Sequence, residues 1–355
     1  MTQWRQLCAR AKAENPFLSP DYVLTAAKYC CTRNPMGVSI HHQGQLIGFG
    51  IFEQRSASRR MPVPHLRCWR SPHGYLHGML IDPDHSQRAL SAFWEYMQHS
   101  QEGWNAVEFT QLALDQPATV SLQQSATRAG VEYWMSQPFE RAALQVEDSL
   151  PGRIIAKIST RRARSLRRGW KYLQKQGEVQ FSIVDSPEGI PQCTEELLRL
   201  ESLGWKAKRG TALAVQPEQA KFFREMIAQF AAQKQVFFSQ LAVDGKTIAI
   251  VAHLKMGQSA YAFKLGWDPE YERGCPGFQL KSQIVQASPQ LGVKFIDSCS
   301  TAGSFIEHVW PDRCSIASHM FMTTRIGVLG GALVGGLRWV RHRAGQLLEK
   351  TGSSQ

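Results

Sequence analysis

Between Gln235 and Leu265 the sequence specifies three strands in succession, and this run constrains the fold more than any other stretch of the chain. Gln235–Val243 and Thr247–Met256 flank Asp244-Gly245, a two-residue turn of the kind that closes antiparallel hairpins. Met256-Gly257 then leads into a third strand, Gln258–Leu265. A glycine-containing loop follows, then a helix over Gly277–Ala287 and a strand over Val293–Ser298. Ahead of the hairpin, Cys193–Leu203 and Pro217–Gln233 carry helical spacing. The order helix, helix, three antiparallel strands, helix, strand predicts a mixed, mostly antiparallel sheet covered by helices.

The first half has the same logic, less legibly. Ser19 and Pro20 are a plausible cap and first turn for a helix starting at Tyr22. Gly37–His42 and Gln45–Phe52 read as strands across Gln43-Gly44, with a further strand at Gly74–Ile81. A helix over Asp82–His99, a strand at Asn105–Leu112 and a helix at Thr119–Ala129 come next. Val131–Pro138 and Ala142–Val146 complete this α/β unit, and Ser318–Thr323 reads as one last strand near the end of the chain. Both halves run hairpin, helix, strand, which is consistent with two distant copies. The boundaries expected are 1–150 and 151–325, broken at Ser149-Leu150-Pro151-Gly152, with a tail over 326–355.

With 355 residues, two domains are the expectation. The net charge of +12 is concentrated. Lys157, Arg161, Arg162, Arg164, Arg167, Arg168, Lys171 and Lys175 follow one another with no carboxylate between them, on a helix whose apolar residues Ile158, Leu166, Trp170 and Leu173 mark one side and which Gly177 ends. Such a segment suits an anionic partner, RNA or acidic lipid, or is a solvated linker helix. No aromatic RNA-binding signature accompanies it, so nucleic acid is not the expected main partner. The eight cysteines form no CxxC pair, which gives no support for a zinc or redox site. Met1–Asn15 has no apolar core of signal-peptide length. Reduced thiols in the cytoplasm are the expectation, with no metal. Ile326–Val340 is shorter than the roughly 20 apolar residues a spanning helix needs, and Arg338 interrupts it. It reads as a helix packed on the domain or a basic amphipathic tail on a membrane surface.

The chemistry concentrates in Tyr261–Leu280. Arg273, Gly274 and Gly277 precede a helix start, where unpaired N–H groups and the helix dipole suit a pyrophosphate and Arg273 adds a charge-assisted contact; the same residues also make an ordinary turn. Asp297, at a strand end, is a candidate general base or a turn carboxylate, and His253 a candidate base or a core histidine. Lys264 and Asp268, four apart, are candidates to pair with each other or to hold an acidic acceptor. Glu201, Trp205 and Lys206 are candidates for the acceptor wall. Cys275 is a weak candidate for an acyl-cysteine route, because no activating partner is visible.

A family resemblance is carried by Glu201-Ser202-Leu203-Gly204-Trp205-Lys206, Arg209-Gly210-Thr211-Ala212-Leu213, Phe222-Phe223-Arg224, Ile248-Ala249 and His253-Leu254. It continues through Phe263-Lys264, Trp267-Asp268, Cys275-Pro276-Gly277, Ile296-Asp297-Ser298-Cys299 and Ile306-Glu307-His308-Val309-Trp310, with the basic segment and the Asn15–Leu24 opening also fitting. Together these resemble the cellulose-biosynthesis (CelD-type) acetyltransferase domain of the GNAT superfamily. The resemblance implies tandem GNAT-like domains, similar to the Fem peptidyltransferases. It implies acyl transfer from acetyl-CoA or another acyl-CoA to an amine or hydroxyl of a small molecule or cell-envelope or polysaccharide precursor. Coenzyme A would lie along the strand holding Tyr261 and Phe263, with its pyrophosphate at Arg273, Gly274, Cys275, Pro276, Gly277 and Phe278. That loop departs from the usual Arg/Gln-x-x-Gly-x-Gly/Ala spacing, and Pro276 supplies no N–H. The alternatives are a Fem-like transferase that uses aminoacyl-tRNA and a non-catalytic membrane-associated binding protein.

Overall fold

The structure is a computed structural model that describes residues 1–11, 14–30, 33, 35–149, 159–204, 210 and 212–335. The chain opens with helices α1 (Thr2–Arg10) and α2 (Pro20–Cys30), then the hairpin β1 (Met36–His42) and β2 (Gln45–Arg55). Next come β3 (His65–Cys68), β4 (Met79–Ile81), α3 (Ser86–His99), β5 (Ala106–Ala113), α4 (Pro117–Arg128), β6 (Glu132–Met135) and β7 (Phe139–Gln145). The second half begins with the basic helix α5 (Thr160–Gln174) and continues with β8 (Val179–Val184), α6 (Gly189–Leu203) and α7 (Pro217–Ala232). The three strands β9 (Val236–Val243), β10 (Lys246–Met256) and β11 (Ser259–Trp267) follow, then α8 (Pro276–Ala287), β12 (Phe295–Asp297) and β13 (Asp312–Met322). A last helix runs over 325–335.

The expected elements have local causes. Ser19 Oγ accepts from the Tyr22 amide and so caps α2, with Pro20 in the first turn. Asp244 and Gly245 both take positive φ, as the β9–β10 turn requires. Four elements depart from expectation. The strand foreseen over Gly74–Ile81 is only β4, because residues 70–77 leave the sheet to meet the second half. α1, β3 and β8 carry too few buried apolar positions to signal themselves; α1 buries only Leu7.

All the strands join one sheet in the order β1-β2-β3-β5-β13-β7-β12-β11-β10-β9-β8, with β4 on β2 and β6 on β13. Two pairs are parallel, β3 with β5 and β11 with β12, and each is reached through a helical crossover. The halves exchange their closing strands. β7, from the first half, lies between β13 and β12, while β13, from the second, lies between β5 and β7. One core crosses the junction, packing Phe17, Tyr22 and Leu76 with Leu197, Phe222 and Phe263. Opposite it, α8 and α5 cover the other face of β9–β11 through Leu173, Val251, Leu280 and Ile284.

Helix 325–335 packs Gly327, Gly330 and Gly331 against the first half and β13: a Cβ on Gly327 would sit 2.0 Å from Asn105 O. Ile326, Leu329 and Leu333 face outward. Residues 336–340 of the foreseen tail, and all of 341–355, lie outside the described residues. Among the described residues no helix is long and apolar enough to cross a membrane.

Candidate active site between β11 and β12

β11 pairs with β10 along its whole length but with β12 only at Ser259, Ala260 and Tyr261. Beyond Tyr261 and Asp297 the two parallel strands separate. Among the described residues, no strand pairs with β11 from Ala262 to Trp267 on that side, at the carboxyl ends of the two parallel strands, the place where open α/β sheets bind ligands. Opposite β10, the register slips: Lys264 faces Ala252 and Ala262 faces His253, which leaves Phe263 as the extra residue of a bulge. Bulges re-aim side chains and interrupt pairing next to sites.

The side chains foreseen beside a donor are differently placed. Tyr261 and Phe263 are buried in the core that joins the halves, Tyr261 edge-on to Phe17 and Phe263 stacked on Phe223. Their rings serve packing. Burial holds the Tyr261 hydroxyl well above its ordinary pKa, and its oxygen has no hydrogen-bond partner among the described residues.

Lys264 is where the halves meet chemically. Its Nζ lies 3.0 Å from His73 Nδ1 and donates to the Tyr75 hydroxyl at 3.2 Å. Burial lowers its pKa below the lysine value of 10.5, with Glu201 and two cysteine thiols opposing the shift. Tyr75 in turn lies under Arg141, whose guanidinium reaches Asp297 at 3.1 Å. Asp297 also accepts from the Cys299 amide at 2.7 Å. Burial raises the Asp297 pKa, and Arg141 opposes that shift. Its carboxylate is occupied as a buried tie between β7 and β12 and has no open approach as a base. His73, Tyr75 and Arg141 are site residues the sequence did not single out. Gly74 and Tyr75 fell in the strand foreseen over Gly74–Ile81 and His73 just before it, and nothing local announced that the loop reaches Lys264.

Three candidates take structural places. His253 is buried, stacks on Phe237 with ring centroids 4.4 Å apart and meets Ser239 Oγ at 3.2 Å; burial, then Lys281, pushes its pKa well down, so it is a neutral core histidine. Asp268 does not pair with Lys264. It caps the 3-10 turn Pro269–Gly274, accepting from the Glu270 amide at 3.0 Å, and binds Lys246 at 3.0 Å. Glu201 is buried and accepts from the Leu213 amide at 2.9 Å, beneath the surface it was expected to line. Trp205 and Lys206 lie outside the described residues.

The loop before α8 is tighter than an open phosphate cradle. Gly274 faces the basic helix, where a Cβ would come within 2.3 Å of Leu173. Gly277 packs over Leu265 and Trp267. Cys275 is exposed and left-handed, with φ 52°. The Phe278 and Gln279 amides turn back onto the Cys275 carbonyl at 2.9 and 3.0 Å. At the helix start the Gly277 amide remains, with exposed Arg273 alongside. One turn further, Lys281 is buried with its ammonium 4.6 Å from the Trp310 ring, and burial lowers its pKa to about 7. The helical period Gly277, Leu280, Lys281, Ile284 places it on the inward face, a signal present in the sequence. Among the described residues no three His, Cys, Asp or Glu side chains are grouped to hold a metal ion.

Residues 160–304 match the family described as the Acetyltransferase (GNAT) domain. No curated protein sequence matches the chain. Among solved structures, FemX superposes with a TM-score of 0.57 at 10% identity, covering 90% of this chain and 96% of its own. The C-terminal DUF2156 domain of a putative lysylphosphatidylglycerol synthetase from Agrobacterium fabrum gives 0.55 at 14%, covering 90% of each chain. At such identities the likeness is one of fold. Parallel strands that part beside a helix start, the family match over that segment and the shared fold of the whole length lead to one conclusion: residues 160–304 are similar to the GNAT acetyltransferase domain family, within a chain that shares the fold of these structures.

Proposed function

We propose that this protein transfers an acyl group from a thioester donor, acyl-CoA, to an amine or hydroxyl of an acceptor bound between the halves. The observation that carries this reading is the parting of β11 and β12 after Tyr261 and Asp297. The edge of β11 beyond Tyr261, which no strand pairs, offers N–H groups that can hold the thioester carbonyl oxygen as negative charge develops on it. The Gly277 amide, the dipole of α8 and Arg273 favour the phosphates. Lys264, with its lowered pKa, takes the proton of the attacking group, with His73 and Tyr75 fixing its Nζ. A new bond forms from the acceptor to the acyl carbon, the carbon–sulfur bond breaks, and the thiolate leaves to be protonated. A small-molecule or cell-envelope acceptor suits the space between the halves.

Acetyl-CoA is expected to raise the melting temperature of the full chain, and Lys264→Met to leave that rise intact while abolishing turnover in an acyl-CoA hydrolysis or acceptor screen. Activity should climb with pH to a midpoint below 10.5, because the lowered pKa frees the amine earlier than in an ordinary lysine. No stabilisation by acetyl-CoA overturns the reading.

A second reading has its own support. The exposed side of α5 carries Arg161, Arg164, Arg168, Lys171 and Lys175 at alternating spacings of three and four, a continuous basic stripe. The same helix docks on the donor loop through Gly169, Leu173 and the Gln279-to-Leu166 hydrogen bond. This favours a polyanionic donor carrier, as in a Fem-like transferase using aminoacyl-tRNA. Stabilisation by tRNA and not by acetyl-CoA selects it.

A further inference from the structure

The first half holds a second concave site, away from the donor loop. A cavity of about 330 Å³ opens beside β2 and β3 and is lined by Arg33, Glu53, Arg67, Trp69, Arg70 and Ser71, among others. Its charge is unbalanced. Glu53 and Arg67 stand opposite each other in the β2–β3 register and form an ion pair. Arg55 reaches the same carboxylate at 3.8 Å. Burial, then the proximity of Arg67 and Arg33, holds the Arg55 pKa below its ordinary value. One carboxylate therefore serves a group of four guanidiniums. The nearby Glu108 is engaged by Arg60 at 2.8 Å. Arg67 Nε is buried and has no hydrogen-bond partner among the described residues, an expensive omission for a charged donor.

The cavity borders the reaction site. Ser71, on its wall, bonds the Tyr22 hydroxyl, and the same loop carries His73 and Tyr75 to Lys264. Cys30, at another edge, lies within electrostatic reach of Lys264. An anion held here would present whatever is attached to it toward the β11 edge.

We propose that this cavity binds a phosphate ester carried by the acceptor, with Arg33, Arg67 and Arg70 as its ligands. Planar guanidiniums bind phosphate oxygens in pairs, and three of them around one phosphate satisfy the charge that Glu53 leaves uncompensated. That the phosphate belongs to the acceptor rests on the acyl-transfer reading; the anion site itself does not.

The probe is inorganic pyrophosphate, titrated calorimetrically into the full-length protein. The parent should bind it, and Arg33→Ala/Arg70→Ala should weaken binding by at least about tenfold, since each charged hydrogen bond lost is worth roughly that. Neither side chain takes part in an ion pair among the described residues, and an unchanged urea midpoint confirms that the variant is folded. Arg70→Lys, which keeps the charge but loses the fork, should fall between the two. Absence of pyrophosphate binding in the parent, or equal binding by the double variant, overturns the site. Acetyl-CoA stabilisation is read in parallel: if the double variant loses it, the cavity belongs to the donor and the acceptor assignment falls, and if the parent never showed it, the acyl-CoA reading fails while the anion site stands. Vesicles containing phosphatidic acid separate the sources. Co-sedimentation that the double variant loses identifies a lipid headgroup, and pyrophosphate binding without co-sedimentation identifies a soluble phosphate ester.

Discussion

Arg141 and Asp297 face each other without solvent, and their energetics differ from those of a surface pair. Each has given up hydration, so removing one leaves the other charged and unpaired. Asp297→Ala is expected to destabilise the protein by about 3–5 kcal/mol in urea unfolding, whereas replacing both residues by leucine should cost much less. A small effect of the single change would mean that the pair is wetter than its burial implies. Lys281 gives the opposite sign. Its pKa of about 7 in the fold against 10.5 ordinarily means that between those values the unfolded chain keeps a proton the folded one has shed. Stability from this group is lowest below pH 7 and rises as the pH climbs toward 10.5. Lys281→Met should therefore stabilise the protein at pH 6, on the order of a few kcal/mol, with the gain vanishing near pH 10. Equal gains at both pH values would show that the ammonium is accommodated by Trp310 and not penalised. At this scale the sequence marked positions better than roles. Asp297 was recognisable at a strand end, but its partner is 156 residues earlier and no local pattern pairs them. Lys281 was readable from helical spacing, since it repeats with Leu280 and Ile284.

The element that most alters the donor site is the basic helix. Its apolar residues were visible at spacings of three and four, but their target was not, because spacing tells which side is buried and not against what. The target is the loop before α8. A Cβ on Gly169 would lie 2.8 Å from Gly274 O, and one on Gly274 would lie 2.3 Å from Leu173. Glycine at both places lets helix and loop touch backbone to backbone, which explains these glycines without a ligand. Gly274→Ala should then cost about 1–3 kcal/mol through overpacking and shift the Gly277 amide, weakening acetyl-CoA stabilisation. Adding Leu173→Ala should recover part of the loss, and strict additivity of the two changes in urea midpoints would separate the helix from the loop. α1 was missed for a related reason. It fully buries only Leu7, with Trp4 and Cys8 packed partly beside it, and adds ion pairs of Arg5 with Asp21 and of Arg10 with Asp82 at 2.8 Å. Partners that distant leave no periodic trace.

Over the whole molecule, each half presents a hairpin, a strand, a crossover helix and a parallel strand; the hairpin, helix and following strand of each were legible from turns and periodicity, while β3 and the parallel pairing were not. The exchange of closing strands was not. Phe139–Gln145 and Asp312–Met322 each carry four consecutive buried residues, as strands covered on both faces do, and such a run says nothing about which edge a strand joins. The consequence is that neither half is closed by its own residues. Without β13, β5 loses the ladder that runs from Ala106 to Ala113, and Phe109 and Trp94 lose Phe321. Without β5, β6 and β7, β12 keeps only its short pairing with β11, and the eleven residues of β13 have no partner. Open edges of that kind aggregate. Residues 1–149 and 159–355, expressed separately, are therefore expected in inclusion bodies. Expressed together they should form a soluble one-to-one complex that acetyl-CoA stabilises, because the described strands pair across the two pieces and the connection contributes effective concentration. If 159–355 alone proves monomeric, unfolds cooperatively and is stabilised by acetyl-CoA, the donor site is complete without β7, and the pair Arg141–Asp297 is dispensable to it.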